Sequence, residues 1–173
     1  MNEAERVKGE MVMSEKLKVT HLASEMAPYA KTGGLADVVS ELPKALSKLG
    51  DVDCHVVIPK YGFIDETDMK ELHFDVSFVM TGIYYTVKIK YLEFNENWKV
   101  FFIESKDILG RDGMYGYADD GYRFAFFARA TLEMERALNF KPDVFHCHDW
   151  HTAMVPVYLR TIYRDDPFFK DTA

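Results

Sequence analysis

The sequence predicts an α/β fold: a Rossmann-like, doubly wound, mainly parallel sheet with an antiparallel hairpin insertion. Three observations carry this reading. An apolar run, LKVTHLAS at residues 17–24, leads through a glycine-containing loop into apolar residues spaced by three and four. A second apolar run, VDCHVVIP at residues 52–59, follows, and strand–helix–strand at this spacing predicts a right-handed parallel crossover. Three closely spaced runs rich in β-branched and aromatic residues then fill residues 73–105. Their short connections, TG and NEN, predict a meander or hairpins set on the sheet.

Each element has its own warrant. Leu35, Val38, Val39, Leu42, Leu46 and Leu49 make one helical face, and Gly50 closes it. Pro43 removes a backbone hydrogen bond inside that helix, and the apolar stripe running through it predicts a kink rather than a break. The second strand stops at Pro59, and YGFIDETDMKEL reads as a polar loop. HFDVSFVMTG, IYYTVKIKYLEF and WKVFFIES are the three meander strands. Residues 105–122 carry Gly110, Gly113, Gly116 and Gly121 among tyrosines and aspartates, the composition of a functional loop. YRFAFFARATLEMERALNF predicts a helix, with Phe124, Phe127, Leu132 and Leu138 near one stripe and charges between. PDVFHCH is a short buried strand, and WHTAMVPVYLRTIYR returns to helix, kinked or shortened at its start by Pro156.

Composition narrows the function. A chain of 173 residues holds one core of ordinary size, and 48% hydrophobic with 28% charged residues is globular. The net charge of -7 argues against a general nucleic-acid or anionic-membrane surface, so an anionic ligand needs a local positive site. Cys54 and Cys147 make no disulfide framework and suit a reducing cytoplasm. Apolar runs fall short of a membrane span. Residues 1–16 alternate charges without an apolar core, which predicts a flexible extension and no secretory signal, with Met11 or Met13 as alternative starts.

Three segments carry candidate chemistry. In YAKTGG, Lys31, Gly33 and Gly34 stand at a helix entrance, where free N–H groups and the helix dipole bind phosphate. A charge-assisted contact there is worth about 1.5–3 kcal/mol. The segment is neither GxxxxGK[ST] nor GxGxxG, and a structural Gly-Gly turn with a solvated lysine explains it equally well. HCHDWH at residues 146–151 places His146 and His148 on one side of a strand. Trp150 stands where a two-metal hydrolase motif has its aspartate, and Asp149 falls one place early, so the spacing disfavours a metal. A neutral histidine at a strand end can instead donate to a sugar hydroxyl, or simply pack. Of the two, His148 adjoins the strand's carboxyl end and is expected at the site, with His146 mainly structural. Asp119 and Asp120 precede a helix, where they can cap it or grip sugar hydroxyls. Tyr115, Tyr117 and Tyr122 suit carbohydrate stacking and packing alike. In a doubly wound fold these segments meet beyond the carboxyl ends of the strands.

Taken together, LASEMAPYAKTGGLADVVSELPKAL, YADDGYRFAFFARA and PDVFHCHDWHTAMVPVYL resemble the N-terminal lobe of bacterial-type glycogen and starch synthases, over residues 17 to about 165. Those enzymes are ADP-glucose-dependent, retaining glycosyltransferases with two Rossmann-like lobes in the GT-B arrangement. The resemblance implies that Lys31, Gly33 and Gly34 face the diphosphate and glucose of ADP-glucose. It implies that His148, with Asp149 and Trp150, lies against the transferred glucose near its 6-hydroxyl. Asp119 matches the aspartate of the family's Asp-Asn-x-x-Arg-Phe pattern, with Arg123 and Phe124 in place. Catalytic roles thus fall to His148 and Asp119, and substrate binding to Lys31, Gly33, Gly34, Asp149 and Trp150.

Two departures matter. Asp120 replaces the usual asparagine after a short loop. The family also continues beyond this length into the rest of the lobe and a second lobe with a Glu-x7-Glu motif and an Arg/Lys pair. Glu96 and Glu104 share that spacing but flank the strand WKVFFI and are not that motif. Residues 17–173 are therefore expected to be an incomplete N-terminal catalytic lobe, inactive alone: a fragment, a split subunit partnered by a separate second-lobe polypeptide, or a truncated gene product. The implied reaction moves glucose from ADP-glucose to the non-reducing end of an α-1,4-glucan, in the cytoplasm and without metal or cofactor. The alternatives are a non-catalytic glucan- or nucleotide-sugar-binding module and a zinc hydrolase.

Overall fold

In the computed structural model residues 15–173 are described, so the extension expected at 1–16 lies outside the described residues except for Glu15 and Lys16. The first apolar run forms β1 (Leu17–Leu22) and the second forms β2 (Val52–Pro59), paired in parallel with Leu17 opposite Val52. The helix between them is α1 (Gly34–Ser47). After a short β3 (Lys70–Glu71), the meander is β4 (Val76–Met80), β5 (Ile83–Asn95) and β6 (Trp98–Glu104). α2 (Asp120–Ala137), β7 (Val144–Cys147) and α3 (Met154–Arg160) complete the order.

The strand order is β3-β5-β6-β2-β1-β7, with β4 also on β5. β6, β2, β1 and β7 are parallel, whereas β5 is antiparallel to β6, β3 and β4. The expected meander thus returns to the sheet, because its last strand lies parallel beside β2. Alternation along the strands splits the core in two. Val19, Val56, Ile58 and Phe102 face α1, while Leu22, Val57, Phe101 and Ile103 face α2 and α3. Helices on both faces make the fold doubly wound.

Two expectations need correction. The buried stripe of α1 is Ala36, Val39, Pro43 and Ser47, whereas Val38 is 50% exposed and Leu49 67% exposed. Val39 keeps its expected place, and Leu35 and Leu46 pack partly buried against the same core, so they share the contact with the small residues. The helix runs unbroken through Pro43 and closes where Gly50 takes a left-handed φ of 86°. Second, β3 lies within the segment expected to be a polar loop. Its backbone pairs with Lys90 and Tyr91, and Glu71 receives the ammonium groups of Lys88 at 2.9 Å and Lys90 at 3.1 Å. Two of the charges between the apolar residues of α2, Arg123 and Glu135, are fully buried. Glu135 accepts from the Thr20 hydroxyl at 2.8 Å and shares its other oxygen with His55 Nδ1 at 2.9 Å. Burial of that carboxylate is offset by these partners.

Pro156 is the third residue of α3, after a 3-10 turn at Trp150–Thr152, so it marks a shortened start. Among the described residues no helix is long and apolar enough to cross a membrane.

Candidate functional site

The carboxyl ends of β1, β6 and β7 lead into residues 23–33, 105–119 and 148–152. These are the three segments expected to converge, and side chains join them in a chain. Glu25, 5% exposed, accepts from the Thr32 amide at 2.7 Å, the Thr32 hydroxyl at 2.6 Å and the Gly33 amide at 3.3 Å. The Tyr115 hydroxyl reaches the same carboxylate at 2.8 Å and lies 2.7 Å from Ser24 Oγ. Tyr115 stacks on His151 with centroids 4.6 Å apart, and His151 lies 4.0 Å from the Trp150 ring. Burial alone would raise the pKa of Glu25, but the hydrogen bonds from Thr32, Tyr115 and Gly33 outweigh it and hold the carboxyl below its ordinary value.

The glycine loop differs from a simple anion cradle. Two of its N–H groups, those of Thr32 and Gly33, are already given to Glu25. Lys31 is exposed and paired with both oxygens of Asp37, at 2.6 and 2.8 Å. Gly33 is extended, with φ of -150°, and a Cβ at either Gly33 or Gly34 would meet nothing within 4 Å. Nothing in the chain itself therefore requires glycine at these two positions. The open space above them admits a ligand against the backbone.

Asp119 sits at the N-cap position of α2 but caps nothing; its carboxylate pairs with Arg111. Asp120 instead accepts from the Gly116 and Tyr117 amides, at 2.8 and 3.1 Å, and pairs with buried Arg123. Arg123 also donates to the carbonyls of Ile108 and Met114, and Tyr117 lies between the guanidinium groups of Arg111 and Arg123. Asp120 and Arg123 thus fix the loop, which leaves Asp119 at its surface.

At the end of β7, His148 is buried and His146 exposed. The two rings stack 4.2 Å apart on the side of the sheet also occupied by His21, the register partner of His146. Burial lowers the pKa of His21 to about 3, with His146 and His148 adding to the effect, and burial beside His146 lowers that of His148 to about 4. Both rings are neutral at pH 7. Asp149 has φ 64° and ψ 178°, a region almost confined to glycine, and its side chain accepts from the Trp150 amide at 2.6 Å. Trp150 is half exposed, edge-on to Phe124.

The structure therefore brings His148, Asp149 and Trp150 together and links them through His151, Tyr115 and Glu25 to Gly33. Among the described residues, the side chains of Lys31 and Asp119 make no hydrogen bond or ion pair with that chain; each is held by its own partner. Sequence reasoning missed His21, Glu25 and Arg111. A separate cavity of about 510 Å³, between Tyr29, Phe63, Asp68 and Phe94, is lined by none of the expected site residues.

The doubly wound sheet, with its parallel strands opening onto this edge, defines a Rossmann-like lobe of the GT-B class. A solved structure is similar: the catalytic domain of Starch Synthase IV from Arabidopsis thaliana, bound to ADP and acarbose, superposes with a TM-score of 0.81 at 36% identity. That match covers 91% of this chain and 33% of that one. The glycogen synthase of Desulforamulus reducens is 41% identical over 160 residues, covering 90% of this chain and 32% of the relative. That of Caldicellulosiruptor saccharolyticus is 46% identical over 155 residues, covering 87% and 32%. Residues 18–173 match the family model of the starch synthase catalytic domain, and the chain belongs to that family. It spans about a third of the length of the curated relatives it matches.

Proposed function

We propose that residues 17–173 supply the N-terminal, donor-facing lobe of a cytoplasmic glycogen or starch synthase. The reaction would transfer glucose from ADP-glucose to the non-reducing end of an α-1,4-glucan. The observation that carries the reading is the pair Gly33 and Gly34, glycine at two positions where no neighbour forbids a side chain. An outside group that must approach the backbone accounts for them. The ADP in the Arabidopsis structure supports a nucleotide diphosphate as that group.

In this reading Lys31 exchanges its Asp37 partner for the diphosphate. Asp37 keeps the ammonium over the loop when no donor is bound. His148, being neutral, donates one ring N–H to a hydroxyl of the transferred glucose and carries no charge to repel an oxocarbenium-like transition state. Asp119 presents a carboxylate to that developing positive charge, with Arg111 fixing its direction. Asp149 and Trp150 form the wall beside the sugar. The leaving diphosphate needs further cations, and in this reading a second lobe supplies them.

The test is reconstitution. The 173-residue chain, incubated with ADP-glucose and glycogen, is expected to release no ADP. Addition of a polypeptide equivalent to the remaining two-thirds of a relative should restore ADP release and chain extension. Turnover by this chain alone, free of contaminating synthase, would overturn the two-lobe mechanism. Failure of the reconstituted pair to use any nucleotide sugar while it still bound glucan would favour the binding-module alternative.

A further inference from the structure

We infer that His21, His146 and His148 form a binding site for a single divalent transition-metal ion of the zinc class. The three residues each offer one ring nitrogen, and these atoms all lie within 4.8 Å of one another. A tetrahedral ion with bonds of about 2.0–2.1 Å needs its ligand atoms roughly 3.4 Å apart. The closing movement falls to His146, whose ring is exposed and free to swing, while β1 and the turn after β7 hold the other two. The pairing of His21 with His146 in the β1–β7 register, and the His148 amide bonded to the Leu22 carbonyl at 3.0 Å, fix the backbone of all three.

Unsatisfied valence points to a ligand. Among the described residues, both ring nitrogens of fully buried His21 and Nε2 of His148 lack any hydrogen-bond partner. Buried polar atoms are seldom left so, because each costs the desolvation of a group that gains nothing in return. A metal would satisfy one nitrogen of each ring at once. The donor set, three neutral imidazoles, suits zinc, cobalt, nickel or copper and does not suit magnesium or calcium. Asp149 is not part of it, since its carboxylate is turned to the Trp150 amide. Three protein ligands leave one position open to water on the side of exposed His146. His21 supplies the ligand that the spacing of HCHDWH alone could not.

The site stands whether or not the chain is a transferase lobe. If it is, an ion on one nitrogen of His148 leaves the other as that ring's only N–H, so metal binding fixes which nitrogen can meet the donor sugar.

Titration of the 173-residue chain with cobalt(II) should give visible d–d bands of a tetrahedral site, saturating at one equivalent and reversed by zinc. His146→Ala, which removes an exposed ligand without opening the core, should weaken binding at least tenfold. Loss of a directly coordinating group should exceed the 10–100-fold cost of losing an outer-shell partner. His73→Ala, at an exposed histidine outside the cluster, should bind as the parent does. Zinc calorimetry on the same three proteins gives the stoichiometry. Absence of saturable binding at one equivalent would overturn the proposal. So would strong near-ultraviolet thiolate-to-cobalt bands, which would assign the ion to Cys147, or equal affinities for the parent and His146→Ala.

Discussion

The carboxylate of Glu25 and the hydroxyl of Tyr115, ninety residues apart in the chain, meet at 2.8 Å. The contact joins the glycine loop after β1 to the loop after β6, and the same carboxylate holds the Thr32 and Gly33 amides. Glu25→Ala should leave two amides and a hydroxyl without partners, costing about 1–3 kcal/mol for the first buried group lost. Thermal unfolding of the isolated chain should show a Tm lower by several degrees. Glu25→Gln should lose less.

The same residue gives a pH dependence of known sign. Its folded-state pKa lies below the ordinary 4.5. Its contribution to stability is therefore full above that value and is lost as pH falls through the folded pKa. Acidification below about pH 4.5 should thus destabilise the parent more steeply than Glu25→Gln, as followed by urea midpoints at pH 7 and pH 3.5. Parallel pH profiles would remove Glu25 from the role assigned to it.

Lys31→Ala separates binding from folding. Lys31 and Asp37 are both about half exposed, and an exposed ion pair is worth at most about 1 kcal/mol, so the Tm should barely move. In a reconstituted synthase, kcat/KM for ADP-glucose should fall at least about tenfold, the value of one charge-assisted contact. Unchanged efficiency at sub-saturating donor would release the lysine from the diphosphate.

Much of this arrangement is readable from residue order, and the exceptions have physical causes. β2 announces itself because a strand buried on both faces is a nearly continuous apolar run, and β1 and β7 show as shorter runs with apolar residues at buried positions. The face of α1 is partly misread: Leu35, Val39 and Leu46 do pack on the core, but periodicity weighs large side chains and overlooks Ala36, Pro43 and Ser47. β3 escapes because its pairing is made by backbone and its side chains are charged. Among site residues, Lys31, Gly33, Gly34 and His148 sit in local patterns. Glu25 and Arg111 do not, since each acts on a partner that only folding brings near. His21 is one of three polar residues in LKVTHL, with Lys18 and Thr20, and nothing there distinguishes a packed histidine from one that faces two others across a strand pair.

Asp149 offers a test of stored strain. A non-glycine residue at its φ and ψ costs about 1–3 kcal/mol. Asp149→Gly removes the strain and the side-chain acceptor together, whereas Asp149→Ala removes only the acceptor. The glycine variant should therefore melt above the alanine variant, by roughly 2–4 °C per kcal/mol in a chain of this size. If the two melted together, the backbone there would be relaxed in solution.

The two histidines at the end of β7 separate the chemistry most sharply, and burial alone ranks them poorly. His146 is exposed and His148 buried, so a stability scan would single out His148 as structural and call His146 free. The proposed mechanism reverses the emphasis. His148 is held by its amide to Leu22 and kept neutral, which leaves it one ring N–H for a sugar hydroxyl and no charge to oppose the transition state. His146 only stacks on its outer face. In a reconstituted synthase assayed with a chelator, so that no metal spans the rings, His148→Ala should lower kcat about 10²-fold or more, as loss of a preorganised donor does. His146→Ala should retain kcat within a few-fold. Far-ultraviolet circular dichroism of both variants checks that the fold survives. Loss of transfer in a well-folded His146→Ala with activity kept in His148→Ala would exchange their roles, and it would move the sugar outward to the exposed ring.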